Sequence, residues 1–170
     1  MIAIAIKLES PGPAIFTQRR RGRFLREFRV FKFRTMRVME DGPDVRQAVV
    51  ADDRVTVTGR ILRRTSLDEL PQLLNVLKGD MSLVGPRPHA LAHDGEFTRL
   101  LERYPDRHQI RPGLTGLAQV TGLRGSTAKP GSIEARVEAD LAYIHNWSLW
   151  LDFKILARTV RAVIAGTNAD

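Results

Sequence analysis

The spacing of apolar residues predicts helices over three stretches of the chain: 65–79, 134–145 and 148–165. In the first stretch, leucines recur three or four positions apart, at Leu67, Leu70, Leu74 and Leu77. This is the period of one helix face. A shorter helix is predicted over residues 96–104.

Residues that favour helix ends flank the first of these stretches. Ser66 precedes Glu69 by three positions, which is the capping-box arrangement, and Gly79 is placed to end the helix. Pro71 falls in or near the first turn, where its missing N–H costs little. We therefore expect a helix that begins at Ser66 and ends at Gly79.

Aromatic and β-favouring residues alternate with basic ones over residues 28–36, which predicts a strand. Residues 111–120 predict a turn followed by an extended segment. With the helices, these segments predict an α/β fold. We expect a single small domain with a short sheet and several helices, partly irregular.

The first eight residues are apolar apart from Lys7, but eight residues are far too few to span a membrane. We interpret them as a short strand, a fraying terminus or the stub of a longer segment. The chain has 170 residues and no cysteine, which excludes disulfide scaffolds, cysteine-ligated metals and thiol catalysis.

Positive charge is concentrated near the amino terminus. The net charge is +8, and residues 1–37 hold ten Lys or Arg against two acidic residues, whereas the remainder is neutral. Such a patch favours a phosphate-bearing partner, whether nucleic acid, an anionic membrane or a phosphorylated substrate. A solvated surface is the alternative.

The last predicted helix has basic residues on one face, at Lys154, Arg158 and Arg161, and tryptophans at its start, Trp147 and Trp150. An apolar body, a basic stripe and terminal tryptophans are typical of a helix that lies at a membrane interface. The alternative is a helix docked on the core with its basic side in water.

Two adjacent carboxylates, Asp68 and Glu69, stand at a predicted helix start. Neighbouring helical residues point about 100° apart, so one can act as nucleophile or base while the other holds a metal. Arg60, Arg63 and Arg64 precede the pair, and Arg87 lies between two prolines. Carboxylates among arginines favour phosphoryl transfer through a covalent acyl phosphate with Mg²⁺. Alternatively, both carboxylates merely cap the helix.

Three sequence blocks are distinctive: Lys32-Phe-Arg-Thr-Met36, the long block 63–88 through Asp68-Glu69, and Arg111-Pro-Gly-Leu-Thr-Gly116. From Ile4 to Gly166 the chain resembles the bacterial sugar transferase family. These are monotopic polyprenyl-phosphate phosphoglycosyl transferases, which begin exopolysaccharide, O-antigen and capsule assembly.

The resemblance implies the reaction and its residues. A UDP-sugar would give its sugar-1-phosphate to undecaprenyl phosphate and release UMP, with Asp68 as the nucleophile that carries a covalent phospho-sugar and Glu69 as the Mg²⁺ ligand. The resemblance places substrate phosphates at Lys32, Arg63, Arg87 and Arg124, and supporting roles at Arg111 and Asp152.

The resemblance also implies a location and a division of the chain. Residues 1–9 would be the shortened remnant of a membrane-associated helix, and residues 10–170 the catalytic domain. The protein would work at the cytoplasmic face of the bacterial inner membrane, as a monotopic or peripheral protein with amphipathic interface helices. No nucleic acid partner is expected. The alternatives are a basic nucleic-acid-binding module and a catalytically inactive fragment of such a transferase.

Overall fold

The computed structural model describes residues 1–37, 52–123 and 131–165. Seven α-helices lie in these ranges: α1 Ile2–Glu9, α2 Val57–Thr65, α3 Leu73–Leu77, α4 Leu91–Leu100, α5 Leu117–Val120, α6 Ser132–His145 and α7 Leu149–Ala165. The strands of the same ranges are β1 Ile15–Arg21, β2 Glu27–Phe33, β3 Ser82–Val84 and β4 Gly113–Thr115. Three 3₁₀ segments also lie there: Arg23–Leu25, Leu67–Gln72 and Tyr104–Gln109.

The strands form two separate two-stranded sheets. β1 and β2 make an antiparallel hairpin whose pairing runs from Ile15 with Phe33 to Arg21 with Glu27. β3 and β4 run parallel, with Val84 beside Thr115. The strand predicted over 28–36 is confirmed as β2, and the mixed α/β class of a single small domain is confirmed as well.

The helix predicted over 65–79 is confirmed only in its second half, as the short helix α3. Ser66 does not cap it: its backbone is left-handed, with φ 56°, and its side chain makes no capping hydrogen bond. This residue instead ends α2, and a 3₁₀ turn carrying Pro71 follows. The capping-box prediction was therefore wrong, because the end of a preceding helix used the same serine.

The remaining helix predictions are mostly confirmed. α6 and α7 match the predicted stretches within two residues. The helix predicted over 96–104 starts earlier, since α4 spans Leu91–Leu100. Residues 2–9 form a helix, so the interpretation as a strand was wrong.

Three small apolar clusters hold these elements together. One joins α4, the 3₁₀ segment 104–109 and α6 through Phe97, Tyr104 and Val137. A second joins α1 to α2 through Ile6 and Leu62. A third joins β3, α6 and α7: Val84, Tyr143 and Ile155. The second and third clusters flank the turn between α2 and β3 that carries the carboxylate pair.

Apolar side chains remain exposed on several neighbouring helices. α2 packs against α1, α7 and the 3₁₀ segment 67–72. Each of these elements carries exposed apolar residues, among them Ile4, Ile61, Leu70, Trp150 and Phe153. The leucine face predicted for 65–79 is exposed too, with Leu77 84% accessible. Within the described ranges, the helices are too short or too polar to cross a membrane.

Candidate functional site

The turn from α2 into the 3₁₀ segment 67–72 places the two carboxylates. The left-handed backbone of Ser66 reverses the chain at once, so Asp68 and Glu69 follow within the first 3₁₀ turn. Both residues are 7% exposed although they carry charge. Buried carboxylates need compensating partners, because removing a charge from water is unfavourable. The surroundings of the pair supply two cations.

Glu69 accepts hydrogen bonds from both cations. Lys32 of β2 donates from Nζ to Oε1 at 2.9 Å. Arg87 donates from Nη1 to Oε2 at 3.2 Å and from Nη2 to Oε1, a two-point grip. Such forked pairing fixes the guanidinium plane as well as its position. The glutamate therefore links the hairpin to the Pro86–Pro88 loop.

Electrostatics at this cluster involve Asp68 as well. Burial lowers the pKa of Lys32, while the charges of Glu69 and Asp68 act in the opposite direction. Burial also disfavours the charged form of Arg87, but Glu69 and Asp68 outweigh it, so the pKa of Arg87 is raised. Two carboxylates thus face two cations in one small volume, and their formal charges cancel.

The loop that carries Arg87 is held at three successive carbonyls. The backbone N–H of Gly113 donates to the Pro86 carbonyl at 2.9 Å. Arg107 Nη2 donates to the Arg87 carbonyl at 2.8 Å, and Arg20 Nη1 donates to that of Pro88 at 2.8 Å.

Gly113 can approach this loop only because it lacks a side chain. A Cβ atom there would overlap the backbone of Gly85. The motif 111–116 therefore serves as the close parallel partner of the β3 strand and the loop that follows it.

Arg107 lies under this loop and is almost wholly buried. Its Nε and Nη2 donate to Asp140 Oδ2 of α6 at 3.1 and 2.6 Å, and both side chains are 2% exposed. Burial lowers the pKa of Arg107, but Asp140 and Tyr104 outweigh it and raise the pKa overall. Burial raises the pKa of Asp140 against the opposing charge of Arg107. We treat the pair as ionised, because Arg stays protonated in proteins and Oδ2 accepts two of its donors.

A buried polar chain continues from Arg107. Tyr104 donates its hydroxyl to Asp94 Oδ1 at 2.8 Å, and His89 Nδ1 lies 2.6 Å from the same hydroxyl oxygen. Burial and the neighbouring arginines hold the pKa of His89 well below its ordinary value. Arginine donors face both ring nitrogens, with Arg107 Nη1 3.0 Å from Nδ1 and Arg136 Nη1 3.4 Å from Nε2, and this favours the neutral ring.

Asn75 connects the carboxylate turn to the lysine strand. Its amide accepts from the Phe31 N–H at 3.1 Å and donates to the Arg29 carbonyl at 2.7 Å. The side chain is fully buried. It therefore hydrogen-bonds the backbone edge of β2 as another strand would. In this way it joins α3, the helix that follows the carboxylate turn, to the strand that carries Lys32.

The structure brings together only some of the residues predicted for the site. Lys32, Glu69 and Arg87 are in contact, with Asp68 beside them. Among the described residues, no hydrogen bond or ion pair joins Arg63 or Arg111 to this cluster. Their predicted roles therefore rest on the sequence resemblance alone.

Of the two other residues predicted for the site, the structure describes Asp152 but not Arg124. Asp152 accepts from Tyr143 at 2.7 Å and from Trp147 at 3.3 Å, so its contacts are with α6 and the start of α7. Arg124, predicted to bind substrate phosphate, lies outside the described residues.

Sequence reasoning missed the residues that hold the loop and the strand: Arg20, Asn75, Arg107 and Asp140. Arg20 was counted within a basic patch, yet it turns inward. Asp140 carried a usable signal, because it falls next to Leu141 on the apolar face of α6, where a lone carboxylate indicates a buried partner. The other two carried no such signal.

Much of the basic amino-terminal segment is committed to internal contacts. Arg21 pairs with Asp94 at 3.0 Å, and Arg34 Nη2 donates to the Ser10 carbonyl at 2.7 Å. With Arg20, Lys32 and Arg23, which donates to the Gln109 carbonyl at 3.2 Å, at least five of the ten basic residues of the segment bind protein groups. This weakens the case for a nucleic-acid-binding surface.

A small, shallow cleft opens next to Arg87. Its lining includes cationic or ionisable side chains and prolines: Arg21, Arg87, His108, Pro86, Pro88 and Pro112. The arginines at its wall give the cleft a positive character.

The comparison with known proteins gives the family of this chain. The chain belongs to the bacterial sugar transferase family, which it matches over residues 1–166.

Three relatives illustrate the similarity. A UDP-glucose:undecaprenyl-phosphate glucose-1-phosphate transferase of Caulobacter vibrioides is 59% identical, over 99% of this chain and 63% of its own length. A protein of the same description from Escherichia coli is 55% identical, over 94% of this chain and 34% of its own. The exopolysaccharide production protein PSS of Rhizobium leguminosarum bv. phaseoli is 49% identical, over 94% and 82%. The chain thus spans less than two thirds of the first two relatives.

Proposed function

We propose that this chain transfers a sugar-1-phosphate from a UDP-sugar to undecaprenyl phosphate, as an initiating step of exopolysaccharide assembly. The observation that carries the proposal is the buried cluster of Asp68 and Glu69 with Lys32 and Arg87. The descriptions of the two glucose-1-phosphate transferases support UDP-glucose as the donor. The exopolysaccharide relative supports the pathway.

In the proposed reaction, Asp68 acts as the nucleophile. A carboxylate oxygen of Asp68 bonds to the β-phosphorus of the UDP-sugar as the phosphoanhydride bond breaks and UMP leaves. An oxygen of undecaprenyl phosphate then attacks the same phosphorus and displaces Asp68. The product is a lipid diphosphate sugar, and the enzyme is regenerated.

The cations of the cluster make this attack feasible. A carboxylate that approaches a diphosphate meets like charge, so positive groups must offset it. Lys32 and Arg87 form ion pairs with Glu69 in the structure. Their N–H groups can turn from Glu69 to hydrogen-bond the substrate phosphates. Arg87 can hold a phosphate through two N–H groups at once. Glu69 would keep both cations in place until the substrate arrives.

Mg²⁺ is proposed as the cofactor, with Glu69 as its protein ligand. In the described part of the chain, no group of three candidate ligand side chains forms a metal cage. A pair of adjacent carboxylates nevertheless fits Mg²⁺, which proteins usually hold through one or two carboxylates and substrate phosphates. The ion would neutralise part of the diphosphate charge. Lys32 and Arg87 both donate to Glu69 in the structure, so an ion bound at Glu69 would lie beside these two cations.

The exposed apolar surface supports a membrane partner, in keeping with a lipid acceptor. Trp147, just before α7, and Trp150 and Phe153 of α7 are all more than half exposed, and Lys154 Nζ lies 5.4 Å from the centre of the Trp150 ring. Aromatic side chains beside basic ones favour the headgroup region of a bilayer. We therefore place the protein at the cytoplasmic face of the bacterial inner membrane, as a monotopic or peripheral protein.

The test is transfer by purified protein in mixed micelles. Undecaprenyl phosphate, Mg²⁺ and either UDP-glucose or UDP-N-acetylgalactosamine are supplied, and lipid product and UMP are measured by mass spectrometry. We expect equimolar lipid-linked glucose and UMP, loss of both with EDTA, and strong loss in Glu69→Gln. Folded protein that yields neither product with either donor contradicts the proposal and favours an inactive fragment.

A further inference from the structure

The loop that presents Arg87 to Glu69 is held by the buried ion pair of Arg107 and Asp140, which lies outside the site. Arg87 lies between Pro86 and Pro88, so its backbone has little freedom in φ on either side. The orientation of its carbonyl is then fixed by one donor, Arg107 Nη2 at 2.8 Å. Arg107 is in turn oriented by Asp140, with two N–H groups on one carboxylate oxygen.

A purely stabilising role does not explain this pair well. Burying two ions has a desolvation cost that their attraction repays only with good geometry, and apolar replacements often stabilise a protein as well or better. The neighbouring pair Arg103–Glu138 joins the same part of the chain to the same helix α6. It does so at the surface, with exposed fractions of 54% and 65%. Only the buried pair reaches the Arg87 backbone.

We propose that Arg107 and Asp140 are positioning residues, which hold the Arg87 carbonyl so that the Arg87 side chain meets Glu69 and the substrate phosphates. For its effect on reaction rate, this inference rests on the proposed function. Arg20, which holds the next carbonyl at Pro88, acts with them from the hairpin. The loop is thus held by two guanidiniums, those of Arg107 and Arg20, which donate to two of its carbonyls.

The test compares Arg107→Lys with Arg103→Lys in the formation of the first covalent sugar-phosphate adduct. Lysine keeps the positive charge beside Asp140 but lacks the fork that also reaches the Arg87 carbonyl. We expect the adduct to form roughly 10–100-fold more slowly in Arg107→Lys, because small misplacements of a catalytic group are costly. The exposed control Arg103→Lys should match the wild type.

A double substitution separates positioning from general stability. If Arg107 acts through Arg87, Arg107→Lys should have almost no further effect on rate in an Arg87→Ala background. A loss of equal size in both backgrounds overturns the proposal. If Arg107→Lys does not fold, Asp140→Asn serves in the same two backgrounds, since it keeps the side-chain shape and removes the charge that orients Arg107.

A second readout does not depend on turnover. The Nε–Hε group of Arg87 gives its own ¹H–¹⁵N signal, which Arg87→Lys identifies by its loss. That signal should shift or broaden in Arg107→Lys and stay unchanged in Arg103→Lys. An unchanged Arg87 signal in folded Arg107→Lys overturns the proposal. Wild-type protein that forms no adduct while this signal responds as expected counts against the proposed function and leaves the positioning intact.

Discussion

At the scale of single residues, the site is a buried cluster in which Glu69 accepts hydrogen bonds from Lys32 and Arg87, with Asp68 beside them. Asp68 and Glu69 stand next to each other in the sequence, so an unusual pair of carboxylates could be recognised there. Their partners come from segments far apart in the chain. Arg87 was indicated by its place between two prolines, whereas the role of Lys32 was known only through the family resemblance. That Glu69 binds both cations depends on tertiary packing, which no local pattern encodes.

Asp94 gives a prediction for pH dependence at this scale. It is 1% exposed and accepts from Tyr104, His108 and Arg21. Burial raises the pKa of its carboxyl, but these partners outweigh burial, so the pKa lies below its ordinary value of 3.8. A carboxyl with a lowered pKa stabilises the fold above its unfolded pKa and loses that effect as pH falls through the folded one.

Asp94→Asn should therefore lower the free energy of unfolding by about 2 kcal/mol at neutral pH, where a buried charged acceptor is lost. The gap in Tm between wild type and variant should narrow as pH falls below about 3.8. Thermal unfolding followed by circular dichroism from pH 7 to pH 3 measures it. A gap that is constant across this range would show that Asp94 charge contributes nothing to stability.

At the scale of helices and strands, periodicity located elements but not their ends or their partners. It identified α6, α7 and β2 within a few residues, because each has a long regular pattern. It failed at Ser66, where the same residue suits a helix start and a left-handed helix end. It also found the leucines after Ser66 at helical spacing, but helical spacing alone does not say what an apolar face meets.

Two helical glycines give a matched prediction at this scale. Alanine is a better helix former than glycine by about 1 kcal/mol. Gly59 in α2 faces the backbone of Thr35, and a Cβ atom there would overlap its carbonyl, whereas a Cβ at Gly95 in α4 meets nothing within 4 Å. Gly59→Ala should destabilise the protein by roughly 2 kcal/mol or more, since backbone must move, and Gly95→Ala should stabilise it slightly.

Urea unfolding of the two glycine variants and the wild type measures both effects in one series. The opposite signs are the essential result, because propensity alone predicts that both changes stabilise. If Gly59→Ala is as stable as Gly95→Ala, α2 does not pack on residue 35 as closely as the structure has it. The position of the carboxylate turn, which α2 carries, would then need revision.

At the scale of the whole molecule, two surfaces have different chemistry. The buried polar chain from Asp94 to Asp140 and the site cluster take up many of the charged groups inside the protein. The helices around α2 instead leave apolar side chains in water. Composition could predict the positive charge of the amino-terminal segment, but not that much of it would be used internally. To separate the basic residues that bind protein groups from those that face water, one must know which side of the β1–β2 hairpin packs against the rest of the protein.

Vesicle binding tests the membrane surface proposed here. Trp150 on α7 is 68% exposed and Leu100 on α4 is 65% exposed, so the two form a matched pair of apolar positions. Trp150→Glu should weaken co-sedimentation with anionic vesicles by about tenfold or more, because it removes an interfacial ring and adds negative charge. Leu100→Glu should leave binding near the wild-type level. Equal loss in both variants contradicts an interface centred on α7.

The central claim is that Asp68 becomes covalently attached to a sugar-phosphate, and intact-mass spectrometry tests it most directly. Purified protein is mixed with Mg²⁺ and a panel of UDP-sugars, with no lipid acceptor present. The account predicts a gain of one hexose phosphate with UDP-glucose, none in Asp68→Asn, and an unchanged gain in Asp106→Asn, an exposed carboxylate outside the site. An adduct that persists in folded Asp68→Asn, or none from folded wild type with any UDP-sugar, contradicts it.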